Sequence, residues 1–153
     1  GNGASWESEP NTRRQTFENK MMLTLKPDTD IVILQFGDNL NNDEKRRNLE
    51  TDIPNLISWI RNASPKALIY WVGVYYASQD FVDRLKRICA PLDVTFVDIY
   101  KFSKDPKYKS YVGAIIDLPD GTKYTVTDPG VASHPGDLGH QAIADEIIKN
   151  FLF

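Results

Sequence analysis

Two periods of apolar residues alternate along this chain, one near four and one unbroken, and their order predicts its elements. Phe17, Met21 and Leu25 recur at a helical step, which predicts an amphipathic helix from Arg14 to Leu25, ended by Pro27. Asp30-Ile31-Val32-Ile33-Leu34-Gln35-Phe36 is nearly continuous and rich in branched residues, the mark of a parallel strand, and stops at Gly37. From Asn42 the pattern turns helical, with Leu49, Ile53, Leu56, Ile57 and Ile60 on one stripe, and Pro54 is expected to kink or restart that helix. A second strand is expected from Ala67 to Gly73. Ser78 can cap a helix whose inner face is Phe81, Leu85, Ile88 and Cys89, and Val94 to Ile99 reads as a third strand. Between Ala114 and Thr127 the rhythm changes to a hairpin turning at Pro119-Asp120-Gly121. A last helix is expected from about Gly136 to Phe151, with Ile143, Ile147, Ile148 and Phe151 inward.

Strands alternating with helices predict an α/β fold: right-handed crossovers and a parallel, flavodoxin-like sheet with helices on both faces, a three-layer α/β/α arrangement. The hairpin reads as an insertion beside that sheet, and residues 1–153 read as one domain. A strand as apolar as Ile31 to Phe36 belongs inside a sheet, yet only two parallel strands follow it. As an edge it would offer bare apolar surface and unpaired backbone groups. Either self-association near Ile31 covers it, or the chain starts inside its domain and the first strands belong upstream.

Composition narrows the function classes. The chain has 153 residues, 41% hydrophobic and 25% charged, as in globular proteins, and no apolar run nears the roughly 20 residues of a membrane span. A net charge of -3 excludes the basic stripe of a nucleic-acid binder, so neither nucleic acid nor membrane is an expected partner. A single cysteine, Cys89, allows no internal disulfide. Gly1 to Glu7 has neither the basic start nor the apolar stretch of a signal peptide, and a secreted or periplasmic location stays open.

Both histidines lie in Asp128-Pro129-Gly130-Val131-Ala132-Ser133-His134-Pro135-Gly136-Asp137-Leu138-Gly139-His140, ahead of the last helix. Histidine is the side chain suited to taking and returning a proton near neutrality, so a loop histidine at a helix entrance is a candidate general base. His134, His140 and Asp137 form no established zinc spacing, and Gly1-Asn2-Gly3 follows no strand. Neither metal nor cofactor is expected.

Together, Asp30 to Asn39 and Val131 to Ala144 resemble two sequence blocks of the SGNH (GDSL-like) hydrolases, nearly a hundred residues apart. The resemblance implies a serine esterase. The Gly-x-Asn turn, here Gly37-Asp38-Asn39, implies that the Asn39 amide contributes to an oxyanion hole, and the late histidine, His134, is implied as base. Gly1-Asn2-Gly3-Ala4-Ser5-Trp6 resembles a further block whose glycine gives a backbone N–H to the same hole; Gly3 is the candidate, with Gly1 not excluded. The substrate class implied is a small ester, and the tyrosines and tryptophan after the second and third strands would suit a carbohydrate ester.

The sequence departs from the family in two places. It contains no Gly-Asp-Ser or Gly-Asn-Ser turn for the nucleophile. Ser5 is the nearest substitute, and no strand precedes it. Where the family commonly has an aspartate three positions before the histidine, this chain has Val131. Either Asp128 or a backbone carbonyl near Val131 is then left to orient His134. Without the nucleophile a second reading stands, an inactive remnant or binding module on the same scaffold; a third is an unrelated flavodoxin-like binding domain.

Overall fold

The computed structural model describes residues 24–38, 40, 42–43 and 46–151. The helix expected from Arg14 to Leu25 lies outside the described residues except for Thr24 and Leu25. Two compact units divide the chain, Gly1–Asp98 and Ile99–Phe153.

The first unit is mixed α/β. Strand β1 (Ile31–Gln35), helix α1 (Leu49–Ala63), strand β2 (Leu68–Val72), helix α2 (Gln79–Cys89) and strand β3 (Thr95–Val97) follow in order. The three strands form one parallel sheet in the order β1-β2-β3, with Leu34 beside Trp71 and Trp71 beside Phe96. The strands and α2 sit where the apolar pattern placed them, with strand ends a residue or two shorter.

One sheet face carries Val32, Leu34, Ile69 and Trp71, all buried. Phe96 shares it, with the Lys86 ammonium of α2 5.8 Å from its ring centre. Helices α1 and α2 pack against each other. Strand order explains this: two right-handed crossovers that both step the same way along a sheet put their helices on one face. These two helices therefore supply one of the two layers expected. On the opposite face Tyr70, Val72 and Val97 are buried, while Ile33 is 49% and Leu68 43% exposed. The apolar surface expected at the edge strand is present.

Helix α1 is continuous through Pro54, with no restart. The proline removes one internal hydrogen bond, a change that costs about 3 kcal/mol in an isolated helix. Burial of Leu49, Ile53, Leu56, Ile57 and Ile60 against the core offsets it. The helix begins at Leu49 rather than near Asn42. Arg84 joins its first turn to α2 through paired bonds of 2.7 Å to both Glu50 oxygens. That pairing holds the Glu50 carboxyl below its ordinary range. Ser78 caps α2 as expected, accepting from the Phe81 N–H.

Cys89 is fully buried, and burial pushes its thiol up to about 12. We expect it to resist Ellman's reagent in the folded protein and to react within the dead time in denaturant; rapid native labelling would contradict the packing. Because folding favours the protonated thiol, its contribution to stability is complete below the ordinary value of 9.0 and is lost as pH rises toward 12.

The second unit opens with 3-10 turns at Tyr100–Lys104 and Pro106–Tyr108. An antiparallel hairpin of β4 (Ile115–Asp117) and β5 (Lys123–Thr125) follows, as the turn residues predicted. The Asp120 carboxylate accepts from the Thr122 N–H and hydroxyl, and Gly121 takes a φ of 82°. Helix α3 (Pro129–Ala132) and helix α4 (Asp137–Lys149) complete the unit. Ile143, Ile147 and Phe151 lie half-buried on one stripe of α4 and just beyond it, but Ile148 is 61% exposed. One residue advances a helix by 100°, and on α4 that step carries Ile148 out of the half-buried stripe of Ile143 and Ile147. Among the described residues no helix is long and apolar enough to cross a membrane.

Candidate functional site

Strand β1 delivers the Gly37-Asp38-Asn39 turn at its carboxyl end, where ligands bind in open α/β sheets. Gly37 has a φ of 115°, and a Cβ there would lie 2.8 Å from Val74 Cγ1, so both backbone and packing call for glycine. Its carbonyl accepts from Leu40 N–H at 2.9 Å. Asp38 Oδ1 accepts the main-chain N–H groups of Tyr75 at 2.7 Å and Tyr76 at 2.8 Å, in the segment after β2. The carboxylate thus joins the turn after one strand to the turn after its neighbour. We expect Asp38→Ala to lower unfolding free energy by about 1–2 kcal/mol, since one partly buried donor, the Tyr75 N–H, and one exposed donor, the Tyr76 N–H, lose their acceptor. Asp38→Asn keeps an oxygen there and should recover part of the loss in urea titrations. Equal midpoints for wild type and Asp38→Ala would refute this role.

Asn39, Gly3 and Ser5 lie outside the described residues, so their placement enters no geometry below. His134 and Asp128 are described, both in the second unit.

The sequence around His134 dictates its position. Asp128 caps α3, its Oδ1 accepting from Gly130 N–H at 2.6 Å, and Pro129 occupies the first turn with its φ already set. The helix stops after Ala132 because Pro135 disfavours helical backbone at His134. Ser133 Oγ closes the turn on the Gly130 carbonyl at 2.7 Å. Gly136 then starts α4. His134 is left exposed between two helices.

Main-chain bonds on both sides fix that loop. The His134 N–H donates to the Val131 carbonyl at 3.0 Å, and the His134 carbonyl accepts from Ser110 N–H at 2.9 Å. Gly136 N–H donates to the Tyr108 carbonyl at 2.9 Å, and Lys109 and Pro135 form an antiparallel bridge. Of the two groups considered for orienting His134, Asp128 has one oxygen committed to its cap, and the Val131 carbonyl takes the histidine's own N–H.

His134 lines a groove of about 530 Å3 whose residues all belong to the second unit. Tyr111 and Ile115 line it with Val131, His134, Leu138 and His140. His140 lies on α4, as expected, and shares the groove. Lys109 also lines it, and among the described residues it pairs with no carboxylate; neighbouring Lys107 is held by Asp105 at 3.0 Å. Of the aromatic residues considered for a sugar site, Trp71, Tyr75 and Tyr100 are buried. Among the described residues the Trp71 indole N–H has no hydrogen-bond partner. Tyr111 is the one that faces the groove.

Sequence reasoning missed Gly139. It is buried in the first turns of α4, and a Cβ there would overlap the Tyr108 carbonyl oxygen and meet Pro135 Cβ at 3.0 Å. A glycine inside an apolar helical pattern was the available signal. Among the described residues no three His, Cys, Asp or Glu side chains converge as a metal site. No family model and no curated protein sequence matches the chain.

Proposed function

We propose that this chain belongs to a serine esterase of the SGNH type, in which His134 is the general base and Asn39 with Gly3 forms the oxyanion hole. The observation that carries the reading is the groove at His134: a histidine fixed by main-chain bonds on both sides, at the wall of a cleft of small-molecule size. The turn at Gly37 adds support, because in sequence Asn39 follows a parallel strand, at the carboxyl end of the sheet. The finer fold in this reading is a three-layer flavodoxin-like α/β/α arrangement, favoured by the partly exposed Ile33 and Leu68 on the sheet face that α1 and α2 leave uncovered. The edge of β1, which among the described strands pairs with β2 alone, would let two copies associate.

In the reaction, the His134 imidazole takes the proton of a serine hydroxyl as its oxygen attacks the ester carbonyl. Negative charge gathers on the carbonyl oxygen, where the Asn39 amide and the Gly3 N–H donate. Collapse expels the alcohol, which receives the proton from His134, and water repeats the sequence on the acyl-enzyme. Ser5 is the nucleophile candidate within this chain. The substrate is an acyl ester, acetyl being the simplest case and a carbohydrate one class of alcohol.

Lack of a Gly-Asp-Ser type turn favours a second reading, a binding module on the same scaffold. The deciding experiment treats the protein expressed from its complete coding sequence with 4-nitrophenyl acetate and with a fluorophosphonate probe. An esterase labels on one serine and releases nitrophenol in a His134-dependent manner. Binding without labelling or turnover establishes the module instead.

A further inference from the structure

We infer that the groove beside His134 seats the acyl chain of the ester and selects hydrocarbon chains from butanoyl to octanoyl over acetyl, an inference that rests on the esterase reading. Tyr111 is 68% exposed, Ile115 and Leu138 are 64% exposed, and Val131 is exposed too, although all four are large and apolar. They are not scattered: all line the one groove that His134 lines. Contiguous exposed apolar side chains at a cleft mark a surface built to be covered. The volume of about 530 Å3 falls in the roughly 300–1,000 Å3 range of small-molecule sites, far more than an acetyl group needs.

The wall has polar members at Ser110, Asp137 and His140, and the stretch made by Ile115, Val131 and Leu138 is the part that favours a hydrocarbon. Ile115, Val131 and Leu138 offer no hydrogen bonds, so a sugar laid on them would lose its hydroxyls' water without replacement. A hydrocarbon chain loses nothing there and gains by leaving water. Charge agrees with this direction of binding. Lys109 lines the groove without a carboxylate partner among the described residues, while the Lys107 ammonium is engaged by Asp105. Asp137 also lines the groove, in the first turn of α4. The Lys109 ammonium on the wall suits the carboxylate that ester cleavage releases. The acid product is therefore a probe that needs no turnover.

The test is a titration of the full 15N-labelled chain with sodium acetate, butanoate, hexanoate and octanoate, followed by amide shifts. Affinity is expected to rise about fourfold per added methylene, with the largest shifts at Ile115, Gly136 and Leu138. Leu138→Ala and Ile115→Ser, both at exposed side chains that leave the fold intact, should flatten that rise at least twofold per methylene. Affinity independent of chain length, or shifts centred elsewhere, would overturn the inference. Hydrolysis separates it from the reading beneath it. A full chain-length series with activity indifferent to His134→Ala keeps the acyl groove and removes the esterase. His134-dependent hydrolysis with no chain-length preference keeps the esterase and removes the groove's role.

Discussion

Alanine in place of His134 is expected to lower kcat/KM for 4-nitrophenyl esters by about a hundred- to ten-thousandfold, the usual contribution of a positioned general base. The loop's two main-chain bonds at His134 do not depend on the imidazole, so a melting measurement on the variant separates loss of the base from loss of the fold. The N–H bond to Val131 and the carbonyl bond from Ser110 persist with any side chain except proline at the N–H. His134 is also exposed, so truncation opens no cavity. The variant should melt within about a degree or two of wild type, and that measurement accompanies the kinetics. Asn39→Ala should cost about a hundred- to a thousandfold through the oxyanion hole. Base and hole act on one transition state, so the double variant should lose scarcely more than the worse single one. Undiminished hydrolysis by well-folded His134→Ala would end the esterase reading.

What the sequence could convey depended on the range of the forces involved. Strands β1 and β2 and helix α2 were legible because their signals are local: branched apolar runs, a serine cap, and a stripe at helical spacing. The hairpin was legible for the same reason, since Asp120 and Gly121 specify their own turn. Pro54 does not restart α1 because propensity counts one lost hydrogen bond, whereas five buried apolar side chains decide the helix's continuity. The layer arrangement was less legible for another reason. An α/β rhythm fixes the handedness of each crossover, but strand order fixes which face it uses, and order depends on contacts distant in sequence. At the candidate site, the motif identified His134 but not its groove. Tyr111, Ile115 and Leu138 lie in three different elements or loops, and nothing in their spacing brings them together. Asp38 was legible as a turn residue, yet its bonds to Tyr75 and Tyr76 cross between adjacent strands, which no local pattern records.

Gly139→Ala is expected to destabilise the second unit at the upper end of the roughly 1–3 kcal/mol range for overpacking, and to cut activity with it. The sign is the informative part. In a helix interior alanine is ordinarily favoured over glycine by about 1 kcal/mol, so an open site would be stabilised by this change. Here the added methyl would overlap the carbonyl oxygen of Tyr108, a backbone atom, and press on Pro135. That carbonyl cannot turn away freely, because it accepts the Gly136 N–H at 2.9 Å and the next residue, Lys109, bridges to Pro135. Relief therefore requires α4 to move off the 106–108 turn, which strains the Gly136 bond first and the Ser110 bond to His134 next. Stability and the placement of the base should fall together. Ala144→Gly, at an exposed position on the same helix, should cost only the propensity difference and leave kcat/KM unchanged. Urea titrations of both variants beside their kinetics make the comparison. A Gly139→Ala protein more stable than wild type would mean that α4 and the Tyr108 carbonyl do not approach as described, and the mount proposed for His134 would fall with that contact.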